Sequence, residues 1–154
     1  DIDVRIIGGG VLHQELIGKI EMLGLQDRVE LVGEASESDL KLWLHAADVF
    51  VLPSITPAET FGIVQIEAMA CGVPVINTAL PTSVPKVARH EREGLTVRPN
   101  DPAALYLALK RLLSDRGYAR TLGAAGRVRA GQAYDWSRSV DKIRRIYENA
   151  APGA

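Results

Sequence analysis

The sequence has one cysteine, little net charge and no long apolar run, and each shortage excludes a class of protein. Cys71 alone can form neither an internal disulfide nor a multi-cysteine zinc site, and a single thiol suits a reducing compartment. No apolar run approaches the roughly 18 residues of a membrane-spanning helix, and no signal peptide is visible. The formal net charge is −1, so no broad basic surface indicates nucleic acid as a partner.

The composition is otherwise that of an ordinary globular protein. Apolar residues make up 47% and charged residues 24% of the 154 residues, which is enough for one domain with a buried core. We therefore expect a single domain over residues 1–154, with a short tail at 151–154. Asp1 to Asp3 lead straight into an apolar run without an initiator methionine, which is typical of a fragment of a longer chain.

Short apolar runs alternate with amphipathic helical patterns along the chain. Strands are predicted in segments 4–10 (with a closing glycine turn), 28–33, 48–53, 73–76 and 94–99, and helices in 11–25, 36–47, 61–72, 101–113, 116–130 and 139–150. The strands lack polar alternation, as expected where both faces are buried. The pattern predicts an α/β fold, a doubly wound parallel sheet of about five strands with helices on both faces. Trp43 and Trp136 are expected to anchor helices in the core.

Ligands of such sheets bind beyond the carboxyl ends of the strands. The segments that follow the predicted strands are 8–10, 33–35, 54–61 and 77–85. The glycine run of the first segment does not match a dinucleotide fingerprint, which would need a glycine in place of His13. An NAD site is therefore not expected.

Two glutamates stand out in the segment "PAETFGIVQIEAMACGVPV". Glu59 and Glu67 have seven residues between them, which corresponds to about 12 Å of rise along a helix. Two carboxylates that far apart do not act on one bond as an acid/base pair. They are instead placed to accept hydrogen bonds from hydroxyls at the two ends of an extended ligand. Free N–H groups at Gly62 and Ile63, where the helical pattern begins, would add donors beside Glu59.

The residues alone also allow a structural interpretation. In that interpretation Glu59 caps the helix and Glu67 lies on a solvated face. Against it, the residues around Glu67 are apolar nearly all round the helix, which predicts a largely buried helix and a carboxylate that needs partners. Both interpretations remain open at this point.

The segment "ADVFVLPSITPAETFGIVQIEAMACGVPVI" resembles the signature of family 4 retaining glycosyltransferases of the GT-B fold. The shared features are a strand ending in Pro-Ser, a glutamate closely followed by Phe-Gly, the two spaced glutamates, Glu-Ala-Met-Ala and Gly-x-Pro-Val. "IIGGG" is similar to the family's Gly-x-Gly turn, and "EGLTVRPND" to its Gly-Leu-x-Val stretch. A Tyr-x-Trp-Ser helix start at residues 134–137 extends the resemblance over nearly the whole chain.

The resemblance implies a Rossmann-like half of a GT-B fold that binds a nucleotide-sugar. Glu59 is implied as the catalytic residue that holds hydroxyls of the donor sugar, assisted by the backbone amides of Phe61, Gly62 and Ile63. Glu67 is implied to accept the ribose hydroxyls, with the diphosphate between the two acids. Further positions expected near the nucleotide or its phosphates are Gly8, Gly10, Gly33, Ser54, Thr82 and Ser83. The resemblance implies no metal and no cofactor; the donor is a UDP-, GDP- or ADP-sugar.

The chain departs from the family pattern in three ways. The family's C-terminal domain begins one strand and helix earlier, with an Arg and a Lys that clamp the diphosphate. The usual Gly-Gly is Thr82-Ser83 here, and the usual Pro-Glu is Pro85-Lys86. The N-terminal domain, which would hold a glycan or lipid-linked glycan acceptor, is absent, so the isolated fragment is expected to be inactive.

The resemblance also bears on pathway, location and rival functions. It implies a role in polysaccharide or glycoconjugate biosynthesis in the cytoplasm, and it allows peripheral contact with the inner membrane face through the missing domain. Two alternatives stay open. One is another GT-B enzyme, a nucleotide-sugar epimerase or a phosphorylase-like enzyme. The other is a non-enzymatic binding module of doubly wound fold, which would bind no nucleotide.

Overall fold

The structure is a computed structural model that describes residues 2–150. The predicted tail at 151–154 lies outside the described residues. By its internal contacts the chain divides into two compact units, one ending at Trp43 and the other beginning at Leu44. Each unit is described by itself.

The first unit is a β-α-β element. It contains β1 (Val4–Ile7), α1 (His13–Met22), β2 (Val29–Gly33) and most of α2 (Glu37–Ala46). The two strands are parallel, with Val4 opposite Val29. At their carboxyl ends the Gly8 amide donates to the Gly33 carbonyl over 2.7 Å. Both glycines have positive φ, 124° and 77°, a conformation that side chains disfavour.

The second unit carries the larger sheet. Its elements are β3 (Phe50–Leu52), α3 (Ile63–Ala70), β4 (Val75–Thr78), α4 (Val84–Val87), β5 (Gly94–Val97), α5 (Pro102–Ser114), α6 (Arg116–Ala133) and α7 (Trp136–Ala150). The strands pair in parallel in the order β3-β4-β5. Asp101 and Asp115 cap α5 and α6 by accepting amide hydrogen bonds, as short polar side chains do at helix starts.

The central strand β4 is buried along its whole length. Ile76 packs in a cluster with Leu112 of α5 and Leu122 of α6. The next residue, Asn77, is hydrogen-bonded to Gln65 of α3 and to carbonyls in and after α4. Because successive side chains of a strand point to opposite faces, the sheet is covered by helices on both faces. The predicted doubly wound α/β fold is confirmed.

The structure differs from the sequence prediction in three details. The five strands form and pair in parallel, but within residues 2–150 they make a two-stranded and a three-stranded sheet rather than one. The short helix α4 was not predicted. Trp136, predicted to be a core anchor, is 80% exposed, and α7 has no buried residue. The size and apolar character of Trp136 favoured a core position, but a sequence carries no information about what packs against α7.

None of the helices in the described part of the chain has the length and apolar character needed to cross a bilayer.

Candidate functional site

Glu59 closes the turn between β3 and α3. Its half-buried carboxylate accepts hydrogen bonds through Oε1 from the Gly62 amide, at 2.9 Å, and from the Phe61 amide, at 3.4 Å. The expectation that the Gly62 amide is free is therefore wrong, because Glu59 itself satisfies it. Within residues 2–150, no hydrogen bond involves the second carboxylate oxygen of Glu59 or the Ile63 amide. Glu59 thus both caps the turn and keeps one oxygen available.

Gly62 makes this turn possible. It is the residue before α3 and has the left-handed φ of 72°, a region that residues with a Cβ enter at a cost of about 1–2 kcal/mol. A Cβ at this position would also lie 2.6 Å from Leu52 Cδ2 and 2.6 Å from Gln65 Nε2. The turn is therefore packed directly onto the end of β3 and the first turn of α3.

Replacing Gly62 with alanine should destabilise the protein. Strained φ and overpacking together predict a loss of about 2–5 kcal/mol in the free energy of unfolding, measurable by chemical denaturation of the full-length protein. Gly131→Ala is a matched control, because Gly131 is an exposed position of α6 where an added Cβ would meet no atom within 4 Å apart from the adjacent backbone of its own helix. It should stabilise by up to about 1 kcal/mol. Equal effects of the two substitutions would contradict the packing account of the turn.

Glu67 lies on the exposed side of α3. The buried side chains of this helix are Gln65, Ala68 and Met69, whereas Ile63, Glu67 and Ala70 are exposed. The prediction of a buried carboxylate is therefore wrong, because the apolar residues around Glu67 do not all face the core. No hydrogen bond or ion pair of the Glu67 side chain is found among the described residues. Its carboxylate is open to a ligand.

The segment after β4 lies beside the Glu59 turn. The Ser83 amide donates to the Thr60 carbonyl over 2.9 Å, and Thr82 Oγ1 accepts from the Val84 amide at 3.4 Å. At the end of β3, the Ser54 carbonyl accepts a hydrogen bond from Thr78 Oγ1 at 2.6 Å. Three predicted positions, Ser54, Thr82 and Ser83, are thus brought to the same edge of the sheet as Glu59.

The glycine positions of the prediction lie in the first unit. Gly8 and Gly33 are at the carboxyl ends of β1 and β2, and exposed Gly10 follows in the loop before α1. Their placement after parallel strands agrees with the predicted topology. Their role near a nucleotide stays a prediction.

An aromatic and a cationic side chain at the C-terminal end of α6 hold the Glu59 turn and the neighbouring helix α4. The Phe61 ring meets the Tyr134 ring edge-to-face, with centroids 6.0 Å apart. Arg129 donates to the Tyr134 hydroxyl at 3.3 Å and to the carbonyls of Lys86 and Val87 at 3.0 and 2.9 Å. Sequence patterns gave no signal for this support, because α6 is far along the chain from the turn that it contacts.

Two buried side-chain amides, those of Gln65 and Asn77, lie next to the Glu59 turn, and neither is exposed to solvent. Asn77 Nδ2 donates to Gln65 Oε1 over 2.8 Å. This pair was not predicted from the sequence. The available signal was an asparagine at the end of the apolar strand "VPVIN", since a polar residue in a fully buried strand needs a partner.

An ion pair fixes the loop between α4 and β5. Glu93 is buried and is held by the Arg89 guanidinium and the Arg89 amide. Burial alone would raise the pKa of the Glu93 carboxyl, but the hydrogen bonds from Arg89, with its charge and that of Arg129, outweigh burial and leave the pKa below its ordinary value.

The depressed pKa of Glu93 predicts a pH-dependent contribution to stability. A folded-state pKa below the unfolded one stabilises the protein above the ordinary glutamate pKa of about 4.3, and this contribution is lost as the pH falls through the folded-state value. Glu93→Gln should therefore lower the Tm near pH 7, with a gap from wild type that narrows below about pH 4. Glu67→Gln is the control and should leave the Tm unchanged. A gap for Glu93→Gln that stays constant with pH would contradict the assignment.

Residues 1–129 match the sequence profile of the family "Glycosyl transferases group 1". The chain belongs to the group 1 glycosyltransferases. The predicted resemblance is confirmed at the level of the family, and the match includes both glutamates, the Gly62 turn and the Thr82-Ser83 segment.

Named relatives support the same family. The chain is 36% identical over 135 residues to D-inositol 3-phosphate glycosyltransferase of Salinispora tropica, covering 88% of this chain and 27% of that protein. It is 34% identical over 151 residues to phosphatidyl-myo-inositol mannosyltransferase of Mycobacterium leprae, covering 98% of this chain and 39% of that protein. The chain therefore spans well under half of the length of these relatives.

Solved structures show the same fold. Sucrose-phosphate synthase of Thermosynechococcus elongatus superposes with a TM-score of 0.82 at 34% identity, over 95% of this chain and 38% of that one. HepE of Anabaena, solved in complex with UDP, superposes with a TM-score of 0.87 at 24% identity, over 96% of this chain and 41% of that one. The Rossmann-like half of a GT-B glycosyltransferase is the fold of this chain.

Proposed function

We propose that this domain binds a nucleoside-diphosphate sugar, the donor in retaining transfer of a sugar to an acceptor. The observation that carries the proposal is a pair of available carboxylates: Glu59 caps the turn after β3 and keeps one oxygen available, and Glu67 lies open on the exposed side of α3. Both lie in a chain of the glycosyltransferase family. Carboxylates accept hydroxyl hydrogen bonds well, and a nucleotide-sugar carries hydroxyls at both ends.

The two acids have separate roles in this proposal. Glu67 accepts hydrogen bonds from the ribose hydroxyls, and Glu59 acts on the hydroxyls of the donor sugar as the catalytic residue. The Ile63 amide and the positive end of the α3 dipole face the diphosphate between them, stabilising negative charge as it develops on the leaving group. The amides of Phe61 and Gly62 act indirectly, by orienting the Glu59 carboxylate. No metal takes part in this step.

The identity of the donor nucleotide and of the acceptor is proposed only as a class. HepE of Anabaena has been solved with UDP and with UDP-glucose, which makes UDP-sugars the first donors to test, ahead of GDP- and ADP-sugars. Two curated relatives are named D-inositol 3-phosphate glycosyltransferase and phosphatidyl-myo-inositol mannosyltransferase. We propose a glycan or lipid-linked glycan acceptor, and hence a role in polysaccharide or glycoconjugate biosynthesis. The family match favours this function over a non-enzymatic binding module.

The domain is proposed to work as one half of a two-domain enzyme. The chain covers only 27% and 39% of the length of two of its relatives. We propose that, in the full-length protein, a further strand–helix unit supplies the basic clamp on the diphosphate and that an N-terminal domain holds the acceptor. The enzyme would act in the cytoplasm, with peripheral membrane contact through that domain.

A thermal-shift panel on the full-length protein tests the proposal. UDP, GDP, ADP and their sugars are compared with NAD as a control, because NAD binds other doubly wound folds. One nucleoside diphosphate and its sugar should raise the Tm, since a ligand at 100 times its Kd stabilises by about 2.7 kcal/mol, and NAD should leave it unchanged. Absence of any shift with all three nucleotide series would overturn the proposal.

A further inference from the structure

The buried pair of Gln65 and Asn77 joins four elements of the second unit. Asn77 of β4 donates through Nδ2 to Gln65 Oε1 at 2.8 Å and to the carbonyls of Val84 and Ala88 at 3.2 and 2.9 Å. Its Oδ1 accepts from Thr96 Oγ1 of β5 at 2.8 Å. Both amides are fully buried, and each of their polar atoms has a partner.

Gln65 carries this network to the Glu59 turn. Its Nε2 donates to the Phe61 carbonyl at 3.1 Å and to the Val84 carbonyl at 3.4 Å. The same atom would lie 2.6 Å from a Cβ on Gly62, so the amide group lies directly against the turn. Phe61 and Gly62 are also the residues whose amides hold the Glu59 carboxylate.

We infer that Gln65 is a positioning residue for the Glu59 carboxylate, with Asn77 fixing the orientation of the Gln65 amide. The inference rests on the proposed function and deepens it: Gln65 acts through the Phe61–Gly62 turn and touches no substrate. Asn77 holds Oε1 of Gln65, so Nε2 must point to the Phe61 carbonyl. The turn is then held from both sides, through its carbonyl by Gln65 and through its amides by Glu59.

A positioning role differs measurably from a structural one. Gln65→Met keeps the length of the side chain but removes the donor to Phe61. Thr96→Val is the matched control, because it removes a hydrogen bond from the same network at Asn77 without touching the turn. Removing a partner from a buried polar network destabilises in either case, so a loss of Tm is expected for both variants.

The two variants should differ in the kcat of sugar transfer. With the full-length protein, well below both Tm values, Gln65→Met should lower the kcat of sugar transfer at least about tenfold while the Kd of the nucleoside diphosphate changes less than about threefold. Thr96→Val should keep kcat within about twofold of wild type. It lowers stability but leaves Glu59 in place, and the rate depends on the position of the catalytic group. Hydrogen exchange at the Phe61 and Gly62 amides should be faster in Gln65→Met and unchanged in Thr96→Val.

The outcomes distinguish this inference from the proposed function. Loss of kcat to the same extent in both variants, or in neither, overturns the positioning role while leaving the function intact. A wild-type protein that neither binds nor transfers from any nucleotide-sugar overturns the function and the inference with it. If Gln65→Met does not fold, hydrogen exchange at the Phe61 and Gly62 amides of the wild-type protein tests the inference. Amides of Phe61 and Gly62 that exchange as slowly as those of β4 support the clamp, and amides as fast as those of exposed Thr56 and Ala58 overturn it.

Discussion

Glu59→Gln in the full-length protein should lower the rate of sugar transfer by about 10²–10³-fold, the usual cost of removing one preorganised electrostatic group. The Kd of the free nucleoside diphosphate should stay within about twofold of wild type. The reason is that the proposed partner of Glu59 is the sugar, on which positive charge develops in the transition state. Losing an interaction that strengthens in the transition state lowers kcat as well as kcat/KM.

Glutamine is the informative substitution at this position. Its amide oxygen still accepts from the Gly62 amide, the 2.9 Å bond that closes the turn, so the turn is kept, while the charge is lost and the second acceptor oxygen becomes an NH2 donor. Glu59→Ala removes both and should also lower the Tm. Transfer that survives in Glu59→Gln and fails only in Glu59→Ala would show that Glu59 acts by capping the turn and not on the sugar.

Glu67→Gln should weaken binding of the nucleoside diphosphate by about 10- to 100-fold. A hydrogen bond to a charged group contributes about 1.5–3 kcal/mol, and glutamine keeps the shape while removing the charge. Because Glu67 is exposed and makes no side-chain hydrogen bond or ion pair among the described residues, the substitution should not change the Tm of the unliganded protein. Isothermal titration calorimetry gives the affinity.

Glu59→Gln is the control for this measurement, since it changes a glutamate eight positions away on the same segment. If both variants lose nucleotide affinity equally, the assignment of one acid to each end of the ligand is wrong. If Glu67→Gln binds as wild type does, Glu67 is only a solvated residue of α3.

The sequence was sufficient to predict the alternation of strands and helices. β4 illustrates why: a strand buried on both faces is a short β-branched run, and "VPVI" between Gly72 and Asn77 allows little else. The predicted start of α5 is confirmed, and Asp101 caps its first turn. Local propensity and hydrophobic period both determine such features.

The environment of single side chains was harder to predict. Glu67 was expected in a buried setting because its neighbours in sequence are apolar, yet Ile63 on the same side of α3 is 67% exposed. Apolar residues beside a ligand cleft look the same in sequence as apolar residues in the core. The Glu59 cap depends on a left-handed glycine, and the Gln65–Asn77 pair depends on a contact between residues twelve positions apart. Neither follows from a periodic pattern.

The most direct test of the account combines the acid with the hydroxyl that it is proposed to bind. Calorimetry on the full-length protein compares the nucleoside diphosphate with its 2′-deoxy analogue in wild type, Glu59→Gln and Glu67→Gln. The account predicts that losing the hydroxyl weakens binding about tenfold or more in wild type and in Glu59→Gln, as expected for a charged hydrogen bond, and hardly at all in Glu67→Gln. If Glu67→Gln loses as much affinity for the 2′-deoxy analogue, relative to the nucleoside diphosphate, as wild type does, the account is contradicted.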